Sequence, residues 1–333
     1  MTPDIYDVTI IGGGPTGLFA AYYSGARRLR TKVLDSLNQL GGQISAFYPE
    51  KYIYDVAGFP KILGKDLVAG LKEQAEQYHP CICLGEKVLE IRSLGAEGIR
   101  IVTDRGEHWS KIVIMTVGFG MFTPKKVAIP GAERFEGKGL SYFVRTPETY
   151  HQERVLIVGG GNSAVDWALN LSTIGRSVTL IHRRAEFRAF EDSVQKLFSS
   201  SVKIKVFYEL KEILGEDRVT GAIVVNNKTG QEERLDVESI LCFLGFEADW
   251  GPLKRWNLEL DGRSVKVNSK METNIPGIYA AGDLVSYPGK VRLISTAFGE
   301  AATAVNNAVA HINPQSALFP GHSSEKKKEQ EIR

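Results

Sequence analysis

The chain has 333 residues, 43% of them hydrophobic and 24% charged, with a formal net charge of +2. This is enough apolar content for two ordinary domains and excludes a disordered chain, while the near balance of charge, with a pI of about 8.3, lacks the concentrated basic face of a nucleic-acid binder. The three cysteines, Cys81, Cys83 and Cys242, are too few and too odd in number for a disulfide scaffold, and no apolar run approaches the roughly 18 residues of a membrane span.

The chain starts almost directly on YDVTIIGGG, without the basic segment, apolar core and cleavage site of an export signal, so a cytoplasmic location is expected, with neither membrane nor nucleic acid as partner. Val8 to Ile11 reads as a short apolar strand that feeds GGGPTG, then a helical stretch, LFAAYYSGARR, then a second strand, TKVLD, ending at Asp35. This is the setting of a dinucleotide-binding G-x-G-x-x-G. Gly12 permits the tight turn, Gly14 lets a pyrophosphate approach the backbone, and Gly17 lets the helix pack closely on the strand. The helix start offers free N–H groups and a positive dipole end to phosphates, and the Asp35 carboxylate suits ribose hydroxyls.

Further along, residues 27–32 (RRLRTK) form a basic cluster, and Lys125 with Lys126 a second one. Each reads either as ordinary solvated charge or as a steering patch for an acidic partner. In the strand-like HPCICLGEKVLEI the period of two points Cys81 and Cys83 to the same face, where buried or incidental thiols are expected.

The dinucleotide pattern then returns. Val155 to Val158 is a strand, GGGNSA supplies Gly159, Gly161, Asn162 and Ser163 with Ala164 in the third small position, and VDWALNLSTIG reads as a helix before the strand SVTLI. The step from Gly12 to Asp35 equals the step from Gly159 to His182. Where the first unit has a carboxylate, the second has His182, Arg183 and Arg184, with Arg188 one helical turn on if HRRAEFR starts a helix. A carboxylate repels a 2′-phosphate and guanidinium groups bind it, so FAD is assigned to the first unit and NADPH to the second.

The stretches IVIMTVGFG (112–120) and SILCFLGFE (239–247) look like matched exits flanking the second unit. An α/β protein follows, with two three-layer Rossmann-like domains: an FAD domain of residues 1–117 and 246–333, and an NADPH domain of 118–245 inserted into it. In the returning segment NIPGIYAAGD, a short strand ends at Asp283, a position suited to the ribityl or phosphate groups of the flavin nucleotide. The run STAFGEAATAVNNAVAHI reads as a helix with Thr296 near its start, whose positive end suits negative charge on a reduced flavin. No metal-ligand spacing appears, and the tail SSEKKKEQEIR reads as a solvated end.

GGGPTG with Asp35, HRRAEFR and IYAAGD together resemble the two-dinucleotide flavoproteins that include the low-molecular-weight thioredoxin reductases. Within them, YPEKYIYDVAGFP (48–60), VRTPE (144–148) and PGHSS (320–324) are similar to the ferredoxin–NADP⁺ reductases of the thioredoxin-reductase-like type. The resemblance implies FAD contacts at Thr16, Asp35, Gln43, Tyr48, Val88, Phe122, Asp283 and Ser324, with Thr296 beside them. It also implies a flavin stacked between Tyr48 and His322, and a homodimer. Aligned on the second glycine turn, Tyr142 and Arg145 stand where a thioredoxin reductase carries its redox-active cysteine pair. Without a dithiol relay, the expected course is hydride transfer from NADPH to flavin N5 and release of single electrons to two molecules of ferredoxin, an acidic iron–sulfur protein. No acid–base group is needed, so no catalytic residue is named. The alternatives are an NADPH diaphorase, a reductase of flavodoxin or of a disulfide partner, and a non-catalytic flavin-based redox sensor.

Overall fold

The computed structural model describes residues 4–118, 121–249, 253–319 and 321. The chain divides into two compact units, one of Met1–Met121 with Asp249–Arg333 and one of Phe122–Ala248, so it leaves the first unit and later returns to it. The strands at the two crossings, Met121–Pro124 and Phe246–Asp249, pair with each other.

In the first unit, β1 (Ile5–Ile11) lies between β2 (Thr31–Asp35) and β6 (Glu107–Met115), parallel to both. β3 (Cys81–Leu84) extends the sheet beyond β2. β4 (Val88–Ser93) and β5 (Ile99–Thr103) continue it antiparallel on the other side, and strand Ile278–Ala280 of the returning segment pairs parallel with the end of β6. Val8, Ile10, Val33, Leu34 and Ile112 to Met115 are buried, the continuous apolar runs that a sheet covered on both faces requires. Helices α1 (Pro15–Ala26), α2 (Gly42–Phe47) and α3 (Gly64–Glu76) follow in the outgoing half. Small side chains let the sheet-covering helices come close: α1 buries Gly17, Ala20, Ala21 and Ser24, and the long helix Ile294–Ile312 buries Ala297, Ala301, Ala304 and Ala308. The rings of Phe19 and Phe298 meet at 5.0 Å between those two helices.

The second unit has a five-stranded parallel sheet in the order Leu140–Ser141, Ser239–Phe243, β7 (Arg154–Gly159), β8 (Ser177–His182) and Lys203–Val206. A three-stranded antiparallel sheet accompanies it. α4 (Asn162–Leu171) buries Ala164, Val165, Trp167, Ala168 and Leu171, an apolar face of helical period.

Two local expectations are corrected. HRRAEFR does not start a helix: residues 183–190 form a loop, because the Arg188 N–H donates to the Gly160 carbonyl at 2.7 Å and the segment pairs with the glycine turn, so the next helix, α5, is Glu191–Phe198. The strand of the returning segment stops at Ala280. Asp283 lies instead in a single helical turn, Gly282–Leu284, which Gly282 enters with φ +84°. Among the described residues no helix is long and apolar enough to cross a membrane.

Candidate dinucleotide sites

In the first unit, β1 runs into a glycine turn whose three motif glycines meet different surroundings. Gly12 has φ +106°, and a Cβ there would lie 2.7 Å from the Thr116 carbonyl oxygen. A Cβ on Gly17 would lie 1.8 Å from the Gly12 carbonyl oxygen, so α1 is packed directly on the turn. Gly14 differs: its φ of −72° is ordinary, and the nearest atom to an added Cβ is Gly42 Cα at 3.9 Å. The turn is therefore tight on its protein side and open in front of Gly14, where no side chain caps α1. That is a cradle for a diphosphate against free N–H groups.

Asp35 closes this end. The Gly13 N–H donates to its Oδ2 at 2.5 Å and the Leu37 N–H to its Oδ1 at 2.8 Å. Only 7% of the residue is exposed, and burial raises its pKa against the downward pull of the two N–H groups. Each oxygen retains a lone pair for a ribose hydroxyl. The Thr116 hydroxyl donates to the Gly12 carbonyl at 2.8 Å, tying the end of β6 to the turn.

The other end is built by four segments. A Cβ on Gly282 would lie 2.8 Å from Thr16 Oγ1, so the turn carrying Asp283 abuts the start of α1. Tyr48 follows α2, and its phenol is pushed up to about 12 by burial first, then by the carboxylates of Asp283 and Asp55. Asp283 is itself raised by burial, with Lys290 and Arg292 opposing and Glu300 and Asp55 reinforcing the shift. The helix Ile294–Ile312, hereafter α6, points its start here. The N–H of Ile294 donates to Asp55 Oδ2 at 2.8 Å and that of Ser295 to the Asp55 carbonyl at 3.2 Å, and Thr296 follows. A cleft of about 540 Å³ opens beside this end, lined by Tyr54, Asp55, Phe59, Leu293 and Ser295 among others. Gln43, in α2, has its Nε2 within 3.2 Å of the place a Cβ on Gly118 would take, and Val88, 7% exposed, begins β4. Phe122 lies in the crossing strand Met121–Pro124. His322 and Ser324 lie outside the described residues.

The second unit repeats the plan with a different charge. A Cβ on Gly159 would lie 2.6 Å from the Phe243 carbonyl oxygen, whereas one on Gly161 would find only the Arg188 carbonyl oxygen, at 3.9 Å. The middle glycine is again the open one. At the end of β8, His182 does not face outward: its ring packs on Gly160, stacks on Phe187 at 5.3 Å, and Nε2–H donates to the Glu186 carbonyl at 3.1 Å. Burial lowers its pKa, and Arg183, Arg184 and Arg188 lower it further. The Asn162 side chain accepts the Phe190 N–H at 2.8 Å and so anchors the loop, while Ser163 stands next to it in the first turn of α4. Arg183, Arg184 and Arg188 are exposed, and none of their guanidinium groups is paired with a carboxylate among the described residues. Three free guanidinium groups beside an open glycine turn fit a nucleotide carrying an extra phosphate.

Tyr142 is buried and Arg145 is exposed. Tyr142 is 7% exposed and its hydroxyl accepts the Val127 N–H at 3.4 Å; the Arg145 guanidinium lies 4.9 Å from the Phe143 ring centre. Cys81, Cys83 and Cys242 are free thiols. Burial pushes Cys83 up to about 11 and Cys242 up to about 12, so neither offers a thiolate nucleophile at neutral pH.

Several charges of the two basic clusters are engaged within the protein. Arg27 donates to Asn306 Oδ1 and to the carbonyls of Ala317 and Leu318, holding the segment that follows α6. Arg30 forks onto Asp4 at 2.5 and 2.9 Å. Lys32 is only 8% exposed and donates to His108 Nδ1 at 2.9 Å. Lys126 pairs with Glu136 at 2.8 Å. Arg30 and Lys126 are thus paired with carboxylates, Arg27 and Lys32 are held by neutral acceptors, and Arg28 and Arg30 are the exposed cations of the first cluster. Conversely, Thr116, Asp55 and Glu300, which lie inside stretches quoted above but were given no role there, and Lys290, which lies outside them, carry site geometry. The one available signal was Glu300, the single carboxylate in a helix otherwise of small, apolar and neutral polar residues with a lone histidine.

A model of the pyridine nucleotide-disulphide oxidoreductase family matches residues 6–305. The chain is 51% identical to a ferredoxin–NADP reductase of Halalkalibacterium halodurans, covering 96% of this chain and 98% of that one. It is 50% identical to a ferredoxin–NADP reductase of Bacillus cytotoxicus with the same coverage. Among solved structures it is similar to thioredoxin reductase of Lactococcus lactis, at 29% identity and a TM-score of 0.80 over 92% of this chain and 99% of that one.

Proposed function

From a chain that belongs to the pyridine nucleotide-disulphide oxidoreductase family, and within it to the ferredoxin–NADP reductases of the thioredoxin-reductase-like type, we propose an FAD-dependent oxidoreductase that passes electrons between NADPH and ferredoxin. FAD belongs to the first unit and NADPH to the second. The observation that carries this division is the pair of matched strand ends: a buried carboxylate bonded to the glycine turn at Asp35, and a cluster of unpaired guanidinium groups at Arg183, Arg184 and Arg188.

In the first unit, the open face of Gly14 and the start of α1 receive the diphosphate, Asp35 accepts the adenosine ribose hydroxyls, and Thr16 and Asp283 lie on the path towards the ring. Gln43, Tyr48, Val88, Phe122, Thr296, His322 and Ser324 complete the proposed contacts, Tyr48 and His322 enclosing the ring and limiting water. In the second unit, Gly159 shapes the turn, Gly161 and Ser163 admit the NADPH diphosphate, and the three arginines hold the 2′-phosphate. His182 and Asn162 position that arginine loop through Gly160 and Phe190. Bound FAD supplies the exchange between two-electron chemistry at a nicotinamide and one-electron chemistry at an iron–sulfur centre. With Tyr142 and Arg145 in place of a cysteine pair, no dithiol stands between FAD and the acceptor.

A cytoplasmic location, suited to three free thiols, and a homodimer belong to the same proposal. Anaerobic titration of the purified yellow protein tests it. NADPH is expected to bleach the flavin and ferredoxin to restore the colour with sustained turnover. Ferredoxin turned over no faster than a nonspecific dye, or a protein without flavin, would overturn it.

A further inference from the structure

Glu300 of α6 is buried, its side chain 4% exposed, and both of its oxygens are occupied. The Gly282 N–H donates to Oε2 at 2.8 Å, and the Tyr287 hydroxyl and Lys290 Nζ donate to Oε1 at 2.6 and 2.5 Å. The Lys290 side chain is 6% exposed, so this is a desolvated ion pair. Such a pair is weak support for stability, because well-packed apolar replacements are commonly neutral or stabilising, whereas loss of one partner strands a buried charge. Its neighbours give it a purpose. Gly282 opens the turn that presents Asp283 and itself abuts Thr16 Oγ1, and the positive charge of Lys290 acts on the Asp283 carboxyl.

We propose that Glu300 and Lys290 are positioning residues for FAD: Glu300 locks the Gly282–Leu284 turn against Thr16, and Lys290 supplies the buried positive charge that keeps the Asp283 carboxylate ready to accept ligand hydroxyls. The inference rests on the reading of the first unit as the FAD site. The groups facing Asp283 are Lys290 and Arg292, which favour its ionised form, Asp55 and Glu300, which disfavour it, and Tyr48. Removal of Lys290 therefore makes Asp283 take up its proton at a higher pH, and FAD is lost earlier on acidification.

The test measures FAD dissociation constants from neutral to mildly acidic pH, and apoprotein thermal midpoints, for the wild type, Glu300→Gln, Lys290→Met and the double variant. Each single variant is expected to weaken FAD binding about tenfold or more, and Lys290→Met to release FAD at a higher pH. The double variant, which strands no charge, should regain the thermal midpoint but not the affinity, and its pH profile should lie between those of the wild type and Lys290→Met, because it removes opposing influences on Asp283. Unchanged affinity in foldable single variants, or affinity that returns together with the thermal midpoint in the double variant, overturns the proposal. A wild-type protein that binds no FAD instead overturns the reading of the unit.

Discussion

The Gly13 N–H donates to Asp35 Oδ2 at 2.5 Å, which ties the turn after β1 to the end of β2 through a buried carboxylate. Asp35→Ala leaves the Gly13 and Leu37 N–H groups without acceptors and is expected to destabilise the apoprotein by about 1–3 kcal/mol for each N–H that stays dry, and to weaken FAD binding. The sign of the pH effect follows from burial raising the folded pKa above its ordinary value of 3.8. The contribution of Asp35 is fully present below the unfolded pKa and is lost as pH rises through the folded one. Urea unfolding of the apoprotein against pH should show that decline in the wild type and its loss in Asp35→Asn.

Substitutions along one glycine turn are expected to separate folding from binding. A methyl group at Gly17 meets the Gly12 carbonyl at 1.8 Å, so Gly17→Ala should cost about 1–3 kcal/mol or more. At Gly14 and Gly161 the nearest atom is 3.9 Å away. Gly14→Ala and Gly161→Ala should therefore change stability by less than about 0.5 kcal/mol, while the first lowers FAD content and the second raises KM for NADPH. Thermal unfolding of the apoproteins beside flavin content and kinetics checks this, and an unfolded Gly14→Ala protein would contradict it.

Neutralising Arg183 and Arg188 together should raise KM for NADPH about 10- to 100-fold, the worth of one or two charge-assisted hydrogen bonds, and leave KM for NADH within about twofold. Steady-state kinetics with both nucleotides decides. Equal effects would remove the phosphate assignment.

Arg30 is matched by Asp4, so Arg30→Gln should leave the dependence of ferredoxin reduction on ionic strength unchanged. A shallower salt slope in that variant would return the 27–32 segment to a docking role.

Much of the architecture was legible locally. An apolar strand, a glycine turn and a helix of small residues describe themselves through backbone sterics and the periods of side-chain burial, and the distance from Gly12 pointed to Asp35, whose carboxylate is bonded to that turn. The misreadings share a cause. HRRAEFR has the composition of a helix start, but the Arg188 N–H finds the Gly160 carbonyl, a partner far away in sequence. The strand before Asp283 ends early because the Gly282 N–H is held by Glu300 from the following helix.

By itself, then, the sequence determined two strand–turn–helix units, the opposite charges at their ends and the want of a cysteine pair, because each depends on residues adjacent in the chain. Only the tertiary structure decided which charges remain free. Arg27, Arg30 and Lys32 find acceptors in other segments while Arg183, Arg184 and Arg188 find none among the described residues, and Lys290 meets Glu300 inside the first unit. Neutralisation and burial are set by groups brought together through folding, and no local pattern encodes them.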